Sequence, residues 1–320
     1  MSESLPLVLV TEGSDARPLE WLRRHARVVE VHYDDPGFAS HLASAEGLVV
    51  RTYTKVNDAI LKAAPKLKVV GRGGVGLENI DVAACRRRGV EVVFTPDANT
   101  LAVADFVFGG LLQLLRPWAA FSQRTYSREE FKKIRDTQRG RQLNELTLGI
   151  LGLGRVGKRV GHIAANGFGM RVIYNDVVEP GPIDFPATSV DSTTLYRESD
   201  VLSLHVDMRA GNEHLVGREQ LAMMKPDAIL LNTSRGEVLD VDALANAIRS
   251  KRLAAAMLDV FDPEPPPADF PLLGLENVLL LPHMAARTYT AIENMSWVVR
   301  DVVEVLNGRP PKYPAPRGRS

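Results

Sequence analysis

Leu148-Gly149-Ile150-Leu151-Gly152-Leu153-Gly154-Arg155-Val156-Gly157 is a short apolar run that passes straight into a glycine loop. The next residues, Lys158-Arg-Val-Gly-His-Ile-Ala-Ala165, have helical spacing, and Met170-Arg-Val-Ile-Tyr-Asn-Asp176 reads as a second strand ending in an acid. Strand, glycine turn, helix and strand make a βαβ unit. Asp176 stands about 20 residues beyond the loop, where a dinucleotide site places a carboxylate on the ribose hydroxyls. Gly152, Gly154 and Gly157 suit the tight turn, the approach of a pyrophosphate and the helix-to-strand packing. Val156 lies in the first helical turn, where backbone amides face the phosphates, and Arg155 adds a neutralising charge. An acid at 176, followed by Val177-Val178-Glu179 with no basic residue, favours NAD over NADP.

The same glycine spacing occurs at Gly71-Arg72-Gly73-Gly74-Val75-Gly76, after the strand-like Leu67–Val70. There the following strand, Val90–Phe94, ends in Thr95-Pro96 instead of an acid, so this loop is not expected to hold a dinucleotide.

Outward from these loops, short runs of Val, Ile and Leu at Leu7–Val10, Val28–Val31, Gly47–Val50, Leu67–Val70 and Val90–Phe94 alternate with longer stretches at helical spacing. Such alternation predicts parallel sheets built from βαβ units. The long apolar helix Thr100–Leu115 breaks the rhythm, a charged segment Gln123–Asn144 follows, and the alternation resumes from Thr147 to Leu281. A last helix is expected over Thr290–Leu306, stopped at Asn307-Gly308, with a loosely held Pro- and Arg-rich tail over Arg309–Ser320. The division is therefore a first domain of residues 1–100 plus 287–320 and a second of 101–286.

The 320 residues suffice for two domains with substantial cores. Lys+Arg and Asp+Glu both number 39, which gives no electrostatic reason to bind nucleic acid or an anionic membrane. No apolar run reaches the ~18–20 residues of a membrane span, and Met1-Ser-Glu-Ser-Leu5 lacks a signal-peptide start. With Cys85 as the one cysteine, no internal disulfide can form, and a reducing cytoplasmic setting is expected. Cys85 lies on a helix face with no activating base beside it in sequence.

Three polar residues end successive apolar runs late in the chain. Arg235 closes Ala228–Arg235, Glu264 follows Met257-Leu-Asp-Val-Phe-Asp-Pro, and His283 follows Val278-Leu-Leu-Leu-Pro282. Ligands of open α/β sheets gather outside the carboxyl ends of strands, so the three are expected to meet in one crevice. Arg235 offers a planar fork matched to a carboxylate. His283 can exchange a proton with a carbon-bound oxygen, and Glu264 can stabilise its protonated ring. With an NAD site, these roles describe hydride transfer to or from a small oxo or hydroxy acid.

At this point the chain resembles the D-isomer-specific 2-hydroxyacid dehydrogenase family. The resemblance is carried by Pro65–Asp81, Thr95-Pro-Asp-Ala-Asn-Thr100, Leu148–Gly157, Leu231-Asn-Thr-Ser-Arg-Gly236, Leu258-Asp-Val-Phe-Asp-Pro-Glu-Pro265 and Pro282-His283. It implies a Rossmann NAD-binding domain and a discontinuous, flavodoxin-like substrate domain, both doubly wound on parallel sheets. It also implies a catalytic set of Arg235, Glu264 and His283, with backbone amides at Val75 and Gly76 binding the substrate carboxylate. The cofactor residues it implies extend to Thr233 and to Asp259, the latter facing the nicotinamide carboxamide. The tract Gly71–Asp81 is most similar to phosphoglycerate-dehydrogenase-type members, in a short form, and the family implies a homodimer. Departures are Ala286 and Arg287 after the histidine, Asp105 where glutamate is usual, and no tryptophan in Glu129-Glu-Phe-Lys-Lys-Ile134. Arg51, Arg72 or Arg287 is expected to meet a second anionic group on the substrate. Rival expectations are a relative oxidising formate or phosphite, and an NAD-sensing corepressor without turnover.

Overall fold

In the computed structural model, which describes residues 5–116, 125–137, 139–209 and 211–316, the chain divides into two units. One comprises Met1–Asn99 with Ala286–Ser320, the other Thr100–Ala285. The first carries β1 (Leu7–Val10), β2 (Arg27–Glu30), β3 (Gly47–Val50), β4 (Val69–Arg72) and β5 (Glu91–Phe94) in the order β2-β1-β3-β4-β5. All its strand pairings are parallel, and the order is the flavodoxin-like one.

Its inner strands read as continuous apolar runs because both faces are covered. Leu7 and Leu9 of β1 pack with Phe38, Leu42, Leu61 and Cys85 on one face. Val8 and Val10 turn to the other face, against Leu19, Leu22, Val299 and Val302. Burial pushes the Cys85 thiol up to about 11, so this sulfur is a core atom and not a nucleophile. Asp15, Asn57 and Asp81 start three of the helices by accepting the amides of Arg17, Ile60 and Ala84. The glycine loop after β4 opens no helix, since the next one begins only at Val82. Gly71 serves packing instead: a Cβ there would stand 2.5 Å from Val302 Cγ2.

The second unit carries β6 (Thr147–Leu151), β7 (Arg171–Asn175), β8 (Thr188–Ser189), β9 (Val201–Leu204), β10 (Ile229–Asn232), β11 (Ala255–Leu258) and β12 (Val278–Leu280). Their order, β12-β11-β10-β9-β6-β7-β8, is the Rossmann order with one strand added at the β12 edge. Every pairing is parallel. The helix Thr100–Leu115 and the helix after the glycine loop cover one face, over Leu148, Ile150, Leu231 and Met257. Gly110 lets the long helix approach, because a Cβ would lie 1.9 Å from Met257 Sδ. Helices at Ser192–Glu198, Arg218–Met223 and Val241–Arg249 cover the other face.

Two expectations about the end of the chain are corrected. The last helix is split into Tyr289–Ser296 and Val299–Leu306. Ser296 Oγ donates back to the carbonyl of Ile292 (2.8 Å) and accepts the Asp15 amide (3.0 Å), a pattern that bends helices. The tail is not loose over its described part. Asp301, 7% exposed, accepts the amides of Lys312 and Tyr313, each at 2.9 Å. Phe94 and Ala315 amides then bond across to Tyr313 and Val92 carbonyls, which pins the tail along β5. Residues 317–320 of that tail lie outside the described ones.

Asp301→Ala should leave two sheltered amides without an acceptor, at about 1–3 kcal/mol for each such group. Urea melting would register the loss, and limited proteolysis would show faster cleavage beyond Gly308. An unchanged cleavage rate would mean that the strand pairing alone holds the tail.

Candidate active site

Gly152 takes φ 91°, a conformation that favours glycine, and a Cβ there would come within 2.9 Å of the His205 carbonyl. Gly157 is held closer still: its Cβ would lie 2.2 Å from the Gly152 oxygen, so helix and loop meet backbone to backbone. Gly154 begins the helix Arg155–His162 without a side-chain cap, and a Cβ on it would meet nothing within 4 Å. The first amides of that helix, Val156 included, have no residue four back within the helix to bond, and Gly154 and Arg155 beside them are exposed. Asp176, just past β7, accepts the amides of Leu153 (2.6 Å) and Val178 (2.9 Å). That ties the acid to the loop and leaves lone pairs for a ribose diol. Thr233 Oγ1 is a sheltered hydroxyl with no hydrogen-bond partner among the described residues, two positions before Arg235. An open helix terminus, a tethered acid and an orphaned hydroxyl are what a dinucleotide would satisfy.

The three catalytic candidates come together because their strands are in register. Asn232 of β10 pairs with Leu258 of β11, which pairs with Leu280 of β12, so the chain leaves three neighbouring strands at one level. After β10, the buried Asn232 side chain ties the turn, accepting the Ser234 amide (2.9 Å) and donating to the Arg235 carbonyl (2.9 Å). Gly236 then touches the next loop, where a Cβ would lie 2.1 Å from the Phe261 carbonyl carbon. That contact draws Arg235 toward the loop that carries Glu264.

Glu264 Oε1 accepts the Phe261 amide at 3.1 Å, and both carboxylate oxygens face His283 Nδ1, at 3.1 and 2.8 Å. Burial alone would raise the Glu264 pKa. The His283 bond, the Phe261 amide and the charge of Arg235 outweigh it and bring it below the usual range. An ionised carboxylate only accepts, so the hydrogen lies on His283 Nδ1 and Nε2 is left to exchange a proton.

His283 has φ 51°, rare for a residue with a side chain. Asp259 holds it there: its oxygens accept the amides of Met284 and Ala285, both at 2.8 Å. Asp259 is 1% exposed, and burial raises its pKa against the pull of these two amides. The sequence reading turned this acid toward the nicotinamide, whereas here it braces the histidine loop, and the cofactor role rests on the resemblance alone.

In the other unit, Val75 and Gly76 lie in the loop after β4, where Gly74 at φ 149° makes room for Arg72. A Cβ on Gly74 would sit 1.4 Å from Arg72 Nη1, so that guanidinium lies across the loop backbone. Arg51 lies within the field of a second cation, Arg287. Burial, then the charge of Arg287, lowers the Arg51 pKa. Neither guanidinium has an ion-pair partner among the described residues; Arg51 is half-buried and Arg287 exposed, and a partly buried cation without a carboxylate favours an anion.

Sequence reading passed over several residues that shape the site: Asn232, Gly236 and His205. The first two flank Arg235 in the stretch already quoted, but only contacts between strands show their use. His205 follows β9 against Gly152, with Nε2 2.8 Å from Ser203 Oγ, and burial pushes its pKa down to about 4.

A doubly wound NAD site beside an arginine, and a histidine backed by glutamate, define an NAD-dependent dehydrogenase. The family model for the D-isomer specific 2-hydroxyacid dehydrogenase NAD binding domain matches residues 108–285. The chain is 36% identical over 279 residues to a hydroxypyruvate reductase of Thermotoga maritima, covering 87% of this chain and 90% of that one. It is 39% identical to a D-3-phosphoglycerate dehydrogenase of Methanocaldococcus jannaschii over 83% of this chain, but spans only 51% of that protein. Among solved structures, protein TT0316 of Thermus thermophilus superposes with a TM-score of 0.85 at 34% identity, covering 97% of this chain and 100% of that one. The chain belongs to the D-isomer specific 2-hydroxyacid dehydrogenase family, and NAD is its cofactor. Among the described residues, no helix is long and apolar enough to cross a membrane, and no cluster suits a metal ion.

Two outcomes follow from this geometry. Asp259→Asn turns a donor toward one loop amide and should cost about 1–3 kcal/mol in denaturant unfolding, together with lower turnover. Full stability and full turnover would remove Asp259 from the support of His283. His205 binds a proton below about 6.5 when unfolded but only near 4 when folded, so protonation favours the unfolded chain. Its stabilisation is complete above that upper value and fades as pH falls through this window. Plotting Tm against pH for His205→Gln should give a flatter curve there than for the parent protein. Parallel curves would rule His205 out as the source.

Proposed function

We propose that the chain interconverts a D-2-hydroxy acid and its 2-oxo acid, with Arg235, Glu264 and His283 as the catalytic residues. The observation that carries this is the Glu264–His283 bond, 2.8 Å long, on the loop next to Arg235. Bound NAD supplies the hydride chemistry, held at Gly152, Gly154, Arg155, Val156, Gly157, Asp176, Thr233 and Asp259. In reduction His283 Nε2 gives its proton to the ketone oxygen, and in oxidation it takes the hydroxyl proton. Glu264 keeps the ring oriented through its bond to Nδ1. Arg235 grips the substrate carboxylate with its fork and polarises the carbonyl.

The family resemblance gives the Val75 and Gly76 amides a share in that carboxylate. Arg51 and Arg287 then accept a second anionic group, a carboxylate, sulfonate or phosphate at the far end of the substrate. The unmatched pair of guanidiniums supports this, and so does the likeness to an enzyme named for a phosphorylated acid. The family also supports a homodimer, and the single cysteine agrees with a cytoplasmic setting.

Arg235→Ala should lower kcat by about 10²-fold or more, the scale for losing one preorganised charge-stabilising donor. NADH affinity, read by fluorescence titration, should stay nearly unchanged. Lost NADH binding would put Arg235 in the cofactor site. NADH binding by the parent protein without turnover of any acid in a 2-oxo acid panel would overturn the enzymatic reading.

A further inference from the structure

Glu12 lies just past β1, and its carboxylate is aimed into the Arg51–Thr54 loop. Its Oε1 accepts the amides of Thr54 (2.7 Å) and Arg51 (3.2 Å) and the Thr54 hydroxyl (2.6 Å), while Oε2 accepts the Tyr53 amide (2.9 Å). Asn79 closes the loop from the opposite side, donating through Nδ2 to the carbonyls of Arg51 (2.9 Å) and Thr54 (2.7 Å). Thr54 is buried and shares a further hydrogen bond with Thr11, 2.6 Å between hydroxyl oxygens. Four donors on one carboxylate exceed what a surface turn needs.

We infer that Glu12 is a positioning residue that fixes the root of the Arg51 side chain, and so sets the preference for substrates with a second anionic group. This rests on the reading of the arginine pair given above. The carboxylate makes no ion pair with the Arg51 guanidinium. It spends its lone pairs on the loop backbone, and the guanidinium stays available to an anion. Burial would raise the Glu12 pKa, but the Thr54 hydroxyl and the loop amides outweigh it and keep the group ionised. From that clamped backbone the Arg51 side chain runs past Gly73, where a Cβ would lie 3.8 Å from its Cγ, to Met295 Sδ, 3.9 Å from Nη2. With its root fixed, the long side chain loses less freedom on gripping a ligand.

Glu12→Gln tests this, because the amide keeps one acceptor but turns N–H groups toward the Tyr53 amide. KM and kcat would be measured for glyoxylate, with one anionic group, and 3-sulfopyruvate, with two. For 3-sulfopyruvate KM should rise about tenfold, the size of one lost charged hydrogen bond, with kcat and the glyoxylate KM nearly unchanged. Thr54→Val removes only the hydroxyl donor and should shift the same ratio by less, which keeps the test alive if Glu12→Gln does not fold. A drop in kcat, an equal KM rise for both acids, or no change in either variant would overturn the inference. Arg51→Ala and Arg287→Ala separate the two layers. If neither alters the ratio of the two KM values, the arginine-pair reading fails and takes this inference with it. If they alter it while both Glu12→Gln and Thr54→Val do not, the inference alone fails.

Discussion

The carboxylate of Asp259, buried at the end of β11, takes the amides of Met284 and Ala285 and so decides where the His283 ring can stand. Without those two bonds, a non-glycine residue at φ 51° has little reason to keep that backbone. With them, the strain is overdetermined, and Nδ1 meets Glu264 while Nε2 stays open. The rest of the catalytic geometry leans on this brace. Glu264 is folded back on the Phe261 amide, and Gly236 lets the Arg235 turn press against that same segment.

Asp259 is one instance of a device used across the chain. Glu12 takes the amides of the Arg51–Thr54 loop, Asp176 those of Leu153 and Val178, Asp200 that of Thr147, and Asp301 those of Lys312 and Tyr313. Glu12, Asp176 and Asp259 follow the ends of strands, Asp200 precedes one, and Asp301 lies in the first turn of a helix; each takes amides that lie at or beyond an element's end. A charged acceptor makes stronger bonds than a neutral one and costs less to leave half-buried once saturated. A chain with equal numbers of acids and bases thus spends several of its acids inward, on loop geometry, and among the described residues leaves cations such as Arg51 and Arg287 without an ion-paired carboxylate.

The two glycine loops show how local context sorts one motif into two uses. Both begin at the carboxyl end of a parallel strand. Behind Gly152 a helix starts at once and turns its amides to the loop, whereas behind Gly71 the chain wanders to Val82 before a helix forms. The helix terminus makes a phosphate site, and the glycines alone do not. At Gly71 and Gly74 the missing side chains serve Val302 and the Arg72 guanidinium instead.

From the sequence alone came the alternation of strands and helices, the dinucleotide fingerprint with Asp176, and Arg235, Glu264 and His283 at strand ends. These are legible because continuous apolar runs, turn chemistry and strand-end chemistry are local and leave a local pattern. The split of the last helix at Ser296, the pinned tail, the brace by Asp259 and the clamp by Glu12 are not. Each depends on a partner far along the chain, as Asp15 does for Ser296, Val92 for Ala315, Ala285 for Asp259 and Thr54 for Glu12. A lone acid looks the same in sequence whether it faces water or a loop amide. Only the tertiary structure, by bringing distant backbone donors to it, decides which.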